Sequence, residues 1–280
     1  MEFLNIIDTT KPDYLKPYII QHFKSLEGEG GNNAVGITTL FLRLNKCNCT
    51  CNFCDTSFSI KGDPKYNIAR ADTNELVDLL LENYNEEDRK HIHSCSITGG
   101  EPLLHLDSFP EIFNRILEAF PGIDQIIIET NGNLLYHTEN AIKLLKIAAE
   151  YKQLQLTLSI SPKLDGKISY GNKVHEDKLL EIYKTVFENY DKYLSRLVEI
   201  QVKFVHSPVL QLQNERLMNL IINEKLVWPR TKILVMPFTP SLKVENFDLL
   251  WKQSKDEAAK YALKNYLRYS PRIHIDRGME

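Results

Sequence analysis

The chain has no apolar run long enough to cross a bilayer. Its first residues, MEFLNIIDTTKPDYLKP, lack the basic stretch and apolar core of a secretory leader. A cytoplasmic protein is expected. Basic residues are not in excess either: 34 Lys and Arg stand against 37 Asp and Glu, a net charge of -3. That balance argues against a protein whose main task is gripping phosphate backbones. Internal repeats, low-complexity tracts and a Pro/Gly/Ser-rich linker are also missing, so one domain over 1–280 is expected, large enough to bury a proper core. With 43% apolar and 25% charged residues, disorder is excluded. Cysteine is scarce but not scattered. Of five, Cys47, Cys49, Cys51 and Cys54 fall in the stretch CNCTCNFC and only Cys95 stands apart. A secreted disulfide scaffold would spread its cysteines over a short chain, whereas thiols crowded in one loop of a long chain indicate metal.

Hydrophobic periodicity predicts strands at 37–44, 93–98, 124–129, 154–160, 199–205 and 232–236. Between and after them it predicts helices at 109–120, 139–151, 175–190, 211–224 and 247–267. A further helix runs from a cap at Asp72 or Thr73 through Leu76, Val77, Leu79 and Leu80 to about Tyr84. Strands alternating with helices imply a parallel sheet, either open and doubly wound or closed into a complete or partial barrel. The cysteine loop and the stretches TGGEP, ETNG, SISPK and MPFTP all sit at or just after strand C-terminal ends, where both architectures place a site. Residues 164–173 read as a long loop or insertion.

Cys47, Cys51 and Cys54 have the spacing C-x3-C-x2-C, which lets three thiolates of one short loop converge. A structural zinc site usually takes four protein ligands in two separated pairs. An iron–sulfur cube held by three cysteines keeps one iron open to another ligand. Cys49 leaves both readings available, as a fourth thiolate of a compact zinc knot or as a bystander.

C-x3-C-x2-C after one strand and Thr98-Gly99-Gly100-Glu101-Pro102 after the next resemble the radical S-adenosylmethionine superfamily. The resemblance implies a partial (β/α)6 barrel and a 4Fe–4S cluster on Cys47, Cys51 and Cys54. The open iron of that cluster binds the amino and carboxylate groups of S-adenosylmethionine, and the glycine-rich strand end takes the methionine ammonium. On this reading Gly99 and Gly100 let the backbone approach the ligand, Glu101 accepts from the ammonium and Pro102 stiffens the exit.

SLEGEG at 25–30, Arg43 four residues before the first cysteine, CDT, ETNG, SPK and SPRIHI further resemble the 7-carboxy-7-deazaguanine synthase family, most closely over the first 165 or so residues. What that implies is ring contraction of a 6-carboxytetrahydropterin with loss of ammonia, in the biosynthesis of deazaguanine bases. Cofactor contacts are implied at Thr98, Gly99, Gly100, Glu101, Glu129, Asn131, Ser159, Ser161 and Lys163. Substrate contacts are implied at Glu27, Gly28, Glu29, Arg43, Thr98 and His274, with magnesium on Thr56. A bidentate Arg43 pair suits a carboxylate, and glutamates suit ring N–H and amino groups. A homodimer and a flavodoxin or ferredoxin-type electron donor are implied as partners. Glu27 stands where the family commonly has Gln, exchanging a group that donates and accepts for one that, ionised, only accepts. A glycyl-radical-enzyme activase shares the cysteine loop, and a zinc-stabilised interaction module would use all four loop cysteines. Neither accounts for TGGEP together with SPK.

Overall fold

The computed structural model describes residues 19–26, 35–51, 54, 56, 72–164, 167–168, 172–173, 175–207, 210–227, 232–240 and 244–277. Their centre is an eight-stranded sheet. Its six middle strands are β2 (Thr38–Leu44), β3 (Ser94–Gly99), β4 (Gln125–Thr130), β5 (Gln155–Ile160), β8 (Val198–His206) and β9 (Ile233–Pro237), all parallel to one another. They match the six predicted strands to within one or two residues. β3, β4 and β5 are buried along nearly their whole length, with an apolar run at Ile126–Ile128 of β4 and polar residues such as Ser96, Thr157 and Ser159 buried between apolar ones in β3 and β5.

Six strands were expected and, among the described residues, eight form this sheet. The additions are β1 (Ile19–Leu26), antiparallel to β2, and the two-residue β10 (Arg268–Tyr269), parallel to β9. β1 (IIQHFKSL) escaped prediction because its burial does not alternate. The expected loop at 164–173 carries a small hairpin, β6 (Lys167–Ile168) with β7 (Asn172–Lys173).

Helices cover the outside of the sheet. They are α1 (Leu76–Asn83), α2 (Glu86–His91), α3 (Phe109–Ala119), α4 (Thr138–Glu150), α5 (Glu176–Asn189), α6 (Gln211–Asn223), α7 (Phe247–Lys264) and the short α8 (Ile273–Arg277). In α3, Phe109, Ile112, Phe113, Ile116 and Ala119 form one buried stripe at helical spacing. α2 was missed because it buries nothing. It is begun by Asn85, whose side chain accepts from the Asp88 N–H at 2.9 Å. The expected cap of α1 lies one turn early, since the Asp72 carboxylate accepts from the Asn74 and Glu75 amides rather than from inside the helix.

Among the described residues no ladder joins β10 back to β1. α8 packs against β1 at that seam, so the sheet is a partial barrel completed by a helix. Asp276 ties α8 to α7, accepting from Trp251 Nε1 at 2.8 Å and Lys255 Nζ at 2.6 Å.

Candidate active site

Side chains from seven strands face one hollow at the C-terminal end of the barrel: Phe23 (β1), Phe41 and Arg43 (β2), Thr98 (β3), Glu129 (β4), Ser159 (β5), Lys203 (β8) and Met236 (β9). A second hollow adjoins it, lined by Cys47, Cys49, Cys51 and Cys54. The two share Cys47, Thr56, Gly99, Gly100, Lys163, Met236 and Arg272. Motifs distant in sequence, from Arg43 to Met236, thus meet because every parallel strand delivers its C-terminal turn to the same end.

The cysteine loop leaves β2 and is pinned from two sides. Against β3, the Gly100 N–H donates to Leu44 O at 3.0 Å and the Glu101 N–H to Lys46 O at 2.7 Å. The contact is so close that a Cβ on Gly100 would lie 1.5 Å from the Lys46 carbonyl oxygen, and one on Gly99 2.3 Å from that of Leu44. The glycines were expected to admit a ligand. Their packing requirement is instead the backbone at the root of the cysteine loop, although both also line the hollows.

The second pin is a chain of buried amides. Asn48 Nδ2 donates to Asn133 Oδ1 at 2.6 Å, and Asn131 Nδ2 donates to Asn48 Oδ1 at 2.8 Å. Asn133 Nδ2 donates to Cys49 Sγ at 3.4 Å. Cys49 is 1% exposed. Hydrogen bonds with Cys47 and Cys51, and then burial, push its thiol well above the ordinary range. Cys47, Cys51 and Cys54 are each partly exposed, so Cys49 differs from its neighbours in setting as well as spacing. Among the described residues no three His, Cys, Asp or Glu side chains are placed to hold a single metal ion. Three soft sulfur donors without a carboxylate or imidazole among them suit an iron–sulfur cluster.

Glu101 does not face the hollows. It is fully buried, with Oε1 accepting from Leu103 N (2.9 Å) and Thr130 Oγ1 (2.5 Å) and Oε2 from Asn131 N (2.7 Å). The carboxylate expected to receive a cofactor ammonium therefore ties the end of β3 to the end of β4. Burial raises its pKa despite those hydrogen bonds.

The remaining expected residues fall into place around the hollows. Glu129 accepts from Ser96 Oγ at 2.8 Å and, at 3.4 Å each, from Thr98 Oγ1 and Lys203 Nζ. Ser159 Oγ accepts from Gln201 Nε2 at 2.7 Å. Lys163 Nζ donates to Ser161 Oγ at 3.2 Å, and its backbone N–H donates to the hydroxyl of Tyr183. That hydroxyl in turn donates to Asn131 O at 3.1 Å. Arg43 is 6% exposed and lies over the Phe23 ring, 5.6 Å from its centroid, while Phe23 stacks on Phe41 at 4.8 Å. Thr56 Oγ1 lies 3.7 Å from Cys54 Sγ. Glu27, Gly28 and Glu29 lie outside the described residues, as does the side chain of His274, whose backbone is in α8.

Sequence reasoning missed Lys203, Tyr183 and Arg272. Lys203 had a signal, being the basic member of the alternating polar positions Glu199, Gln201 and Lys203 of β8. Arg272 stands in SPRIHI, where only His274 drew notice. Tyr183 is one aromatic of an amphipathic helix and carries no signal.

The Radical SAM superfamily matches residues 42–205, more than half of the chain, from inside β2 to the end of β8. The chain belongs to that superfamily, and membership brings a 4Fe–4S cluster and S-adenosylmethionine. Among curated relatives, a 7-carboxy-7-deazaguanine synthase of Methanothermobacter thermautotrophicus is 32% identical over 47% of this chain and 47% of its own. One of Halobacterium salinarum is 26% identical over 90% of this chain and 87% of its own. The chain spans about half the length of the first curated relatives it matches. The crystal structure of QueE from Escherichia coli superposes with a TM-score of 0.52 at 18% identity, covering 94% of this chain and 96% of that one, which shows a shared fold.

Proposed function

We propose that this chain, as a single domain, is a 7-carboxy-7-deazaguanine synthase. It would convert 6-carboxy-5,6,7,8-tetrahydropterin to 7-carboxy-7-deazaguanine with release of ammonia, in 7-deazapurine biosynthesis of the preQ0/queuosine type. The observation that carries this reading is the union of a three-cysteine loop with an aromatic, arginine-bearing hollow at one barrel end. Curated relatives of that name over most of the chain support it.

Cys47, Cys51 and Cys54 would hold the cluster. With S-adenosylmethionine bound, that group supplies the reductively generated carbon radical characteristic of the superfamily. Gly99, Gly100, Asn131, Ser159, Ser161, Lys163 and Glu129 would bind the cofactor, the lysine facing its carboxylate and Glu129 accepting from hydroxyls. The Arg43 guanidinium, held over Phe23, would take the substrate carboxylate as a bidentate pair. The Phe23 and Phe41 rings give the flat bicyclic substrate an apolar wall. Thr98, Glu27, Gly28, Glu29 and His274 complete the substrate contacts, and Thr56 would supply a hydroxyl to a magnesium ion. A flavodoxin or ferredoxin-type donor, a homodimer and a cytoplasmic setting belong to the same reading. Among the described residues no helix is long and apolar enough to cross a membrane.

Anaerobic incubation with S-adenosylmethionine, reductant, magnesium and the carboxytetrahydropterin, followed by mass spectrometry, tests it. Formation of the carboxydeazaguanine is expected. Cofactor cleavage without that product would leave the superfamily chemistry and remove the substrate.

A further inference from the structure

Tyr183 is completely buried on α5, yet it carries a hydroxyl into the interior. Its buried neighbours on that helix, Leu179, Ile182, Val186 and Phe187, are apolar. Asn189 separately fastens the end of the helix, donating to Leu135 O at 2.8 Å. A phenylalanine would therefore pack α5 as well. Burying a hydroxyl costs free energy unless it is hydrogen-bonded, so the use of this oxygen lies in its partners.

Both partners are backbone groups of residues that line the substrate hollow. The Lys163 N–H donates to the hydroxyl at 2.8 Å, and the hydroxyl donates to Asn131 O at 3.1 Å. Burial, and then the nearby Cys49, push the phenol well above its ordinary range, so it keeps the proton that it donates. Asn131 carries the connection onward. Its N–H donates to Glu101 Oε2 at 2.7 Å and its Nδ2 to Asn48 Oδ1 at 2.8 Å. Tyr183 and Asn131 together thus join the cysteine loop after β2 to the ends of β3, β4 and β5. The ends of β4 and β5 are also joined by the Ser161 N–H to Thr130 O at 2.8 Å, but that bond fixes Ser161 and not Lys163 two residues on.

We propose that Tyr183 is a positioning residue: by joining the Lys163 turn to the cysteine loop through Asn131, its hydroxyl sets the spacing between the cofactor-binding turn and the cluster ligands. The inference rests on the cofactor role given above to Lys163 and Asn131. S-adenosylmethionine has to meet that turn and the cysteine loop at once, so its binding is sensitive to their separation.

The test is the affinity of the reconstituted 280-residue protein for S-adenosylmethionine, read from the change it makes in the electron paramagnetic resonance spectrum of the reduced cluster and titrated per bound iron. Tyr183→Phe removes one oxygen and is expected to weaken affinity about tenfold, the scale of leaving two buried groups short of a partner, with iron per chain within about twofold of the parent. Tyr190→Phe is the matched control. It removes a buried hydroxyl that donates to Val198 O at 2.9 Å, at the opposite end of the barrel. It should lower the melting temperature comparably and leave affinity within about twofold. Equal losses of affinity in the two Phe variants would reduce Tyr183 to general stability and overturn the assignment, as would unchanged affinity in Tyr183→Phe or a Tyr183→Phe protein that binds no iron. Lys163→Ala tests the underlying reading. Unchanged affinity in that variant would remove Lys163 from the cofactor, and this inference would fall with it.

Discussion

Asn48 and Asn133 are joined by a buried 2.6 Å hydrogen bond across 85 positions of sequence, tying the cysteine loop to the turn after β4. Cys49 lies in the same network. Placement of the loop therefore depends on residues that are not themselves cluster ligands.

Replacing Cys47, Cys51 or Cys54 by Ala should abolish bound iron, whereas Cys49→Ala should keep it. Asn133→Ala should lower stability by about 1–3 kcal/mol, the cost of leaving the Asn48 amide and its neighbours with a missing partner. It should also reduce iron per chain after reconstitution. Iron and sulfide analysis with denaturant melts checks all five variants. Loss of iron in Cys49→Ala would make it a ligand.

Gly100→Ala should prevent assembly of the site before any ligand is considered, because its Cβ would meet the Lys46 carbonyl at 1.5 Å. Gly122→Ala is the matched control. Its nearest neighbour would be 3.5 Å away, so its stability should stay within about 0.5 kcal/mol of the parent. Comparable melts for the two variants would show that the β3 end yields more readily than its packing indicates.

Burial raises the Glu101 carboxyl pKa above its usual value. The folded chain then holds this proton more tightly than the unfolded chain. Stability from the group is full below the ordinary carboxyl range, near pH 4, and is lost as pH rises through the native pKa. Glu101→Gln removes that titration. The stability advantage of the parent over the variant should therefore shrink between about pH 4 and neutrality, as read by urea melts across that range. An advantage that grows with pH would mean that Thr130 and the two amides hold the ionised form instead.

Lys203, fully buried, and Glu129, partly buried, form a pair at 3.4 Å, their side chains 2% and 18% exposed. Lys203→Met should cost about 1–3 kcal/mol because it leaves the carboxylate with Ser96 and Thr98 but no cation, and Lys203→Met with Glu129→Gln should cost less than the sum of the single changes. Additive losses in a denaturant double-mutant cycle would show that the two charges do not act as a pair.

The six parallel strands were legible because short stretches with apolar residues at every second position or in a run, as in QLTLSI of β5 and QIIIET of β4, stand between helical patterns. The cysteine loop and TGGEP were legible because their spacing is rare outside one chemistry. β1 was not, since an edge strand half wrapped by other elements has no clean period. The role of Glu101 was illegible for a different reason: its motif names a neighbourhood, while only packing decides whether the carboxylate faces the ligand or the adjacent strand. Lys203 and Arg272 belong to the site by register and by closure of the seam, neither of which is written locally.

On the proposed reading, Arg43 separates substrate recognition from radical generation. Its guanidinium is held over Phe23 in the hollow that adjoins the cysteine loop, with Thr98 beside it in register on β3. Arg43→Lys keeps the charge and loses the planar fork, so a carboxylate can still be attracted but no longer held bidentately. Positioning of the reacting carbon should fail even where some binding survives, because small misplacements at the reacting centre are costly. Cluster assembly should be unchanged, since the Arg43 guanidinium lies over the Phe23 ring on β1 and the charge is kept. Under saturating S-adenosylmethionine and reductant, the variant should form 5'-deoxyadenosine slowly with little or no deazaguanine. The ratio of product to 5'-deoxyadenosine is the quantity to measure. A ratio equal to that of the parent would remove Arg43 from the carboxylate.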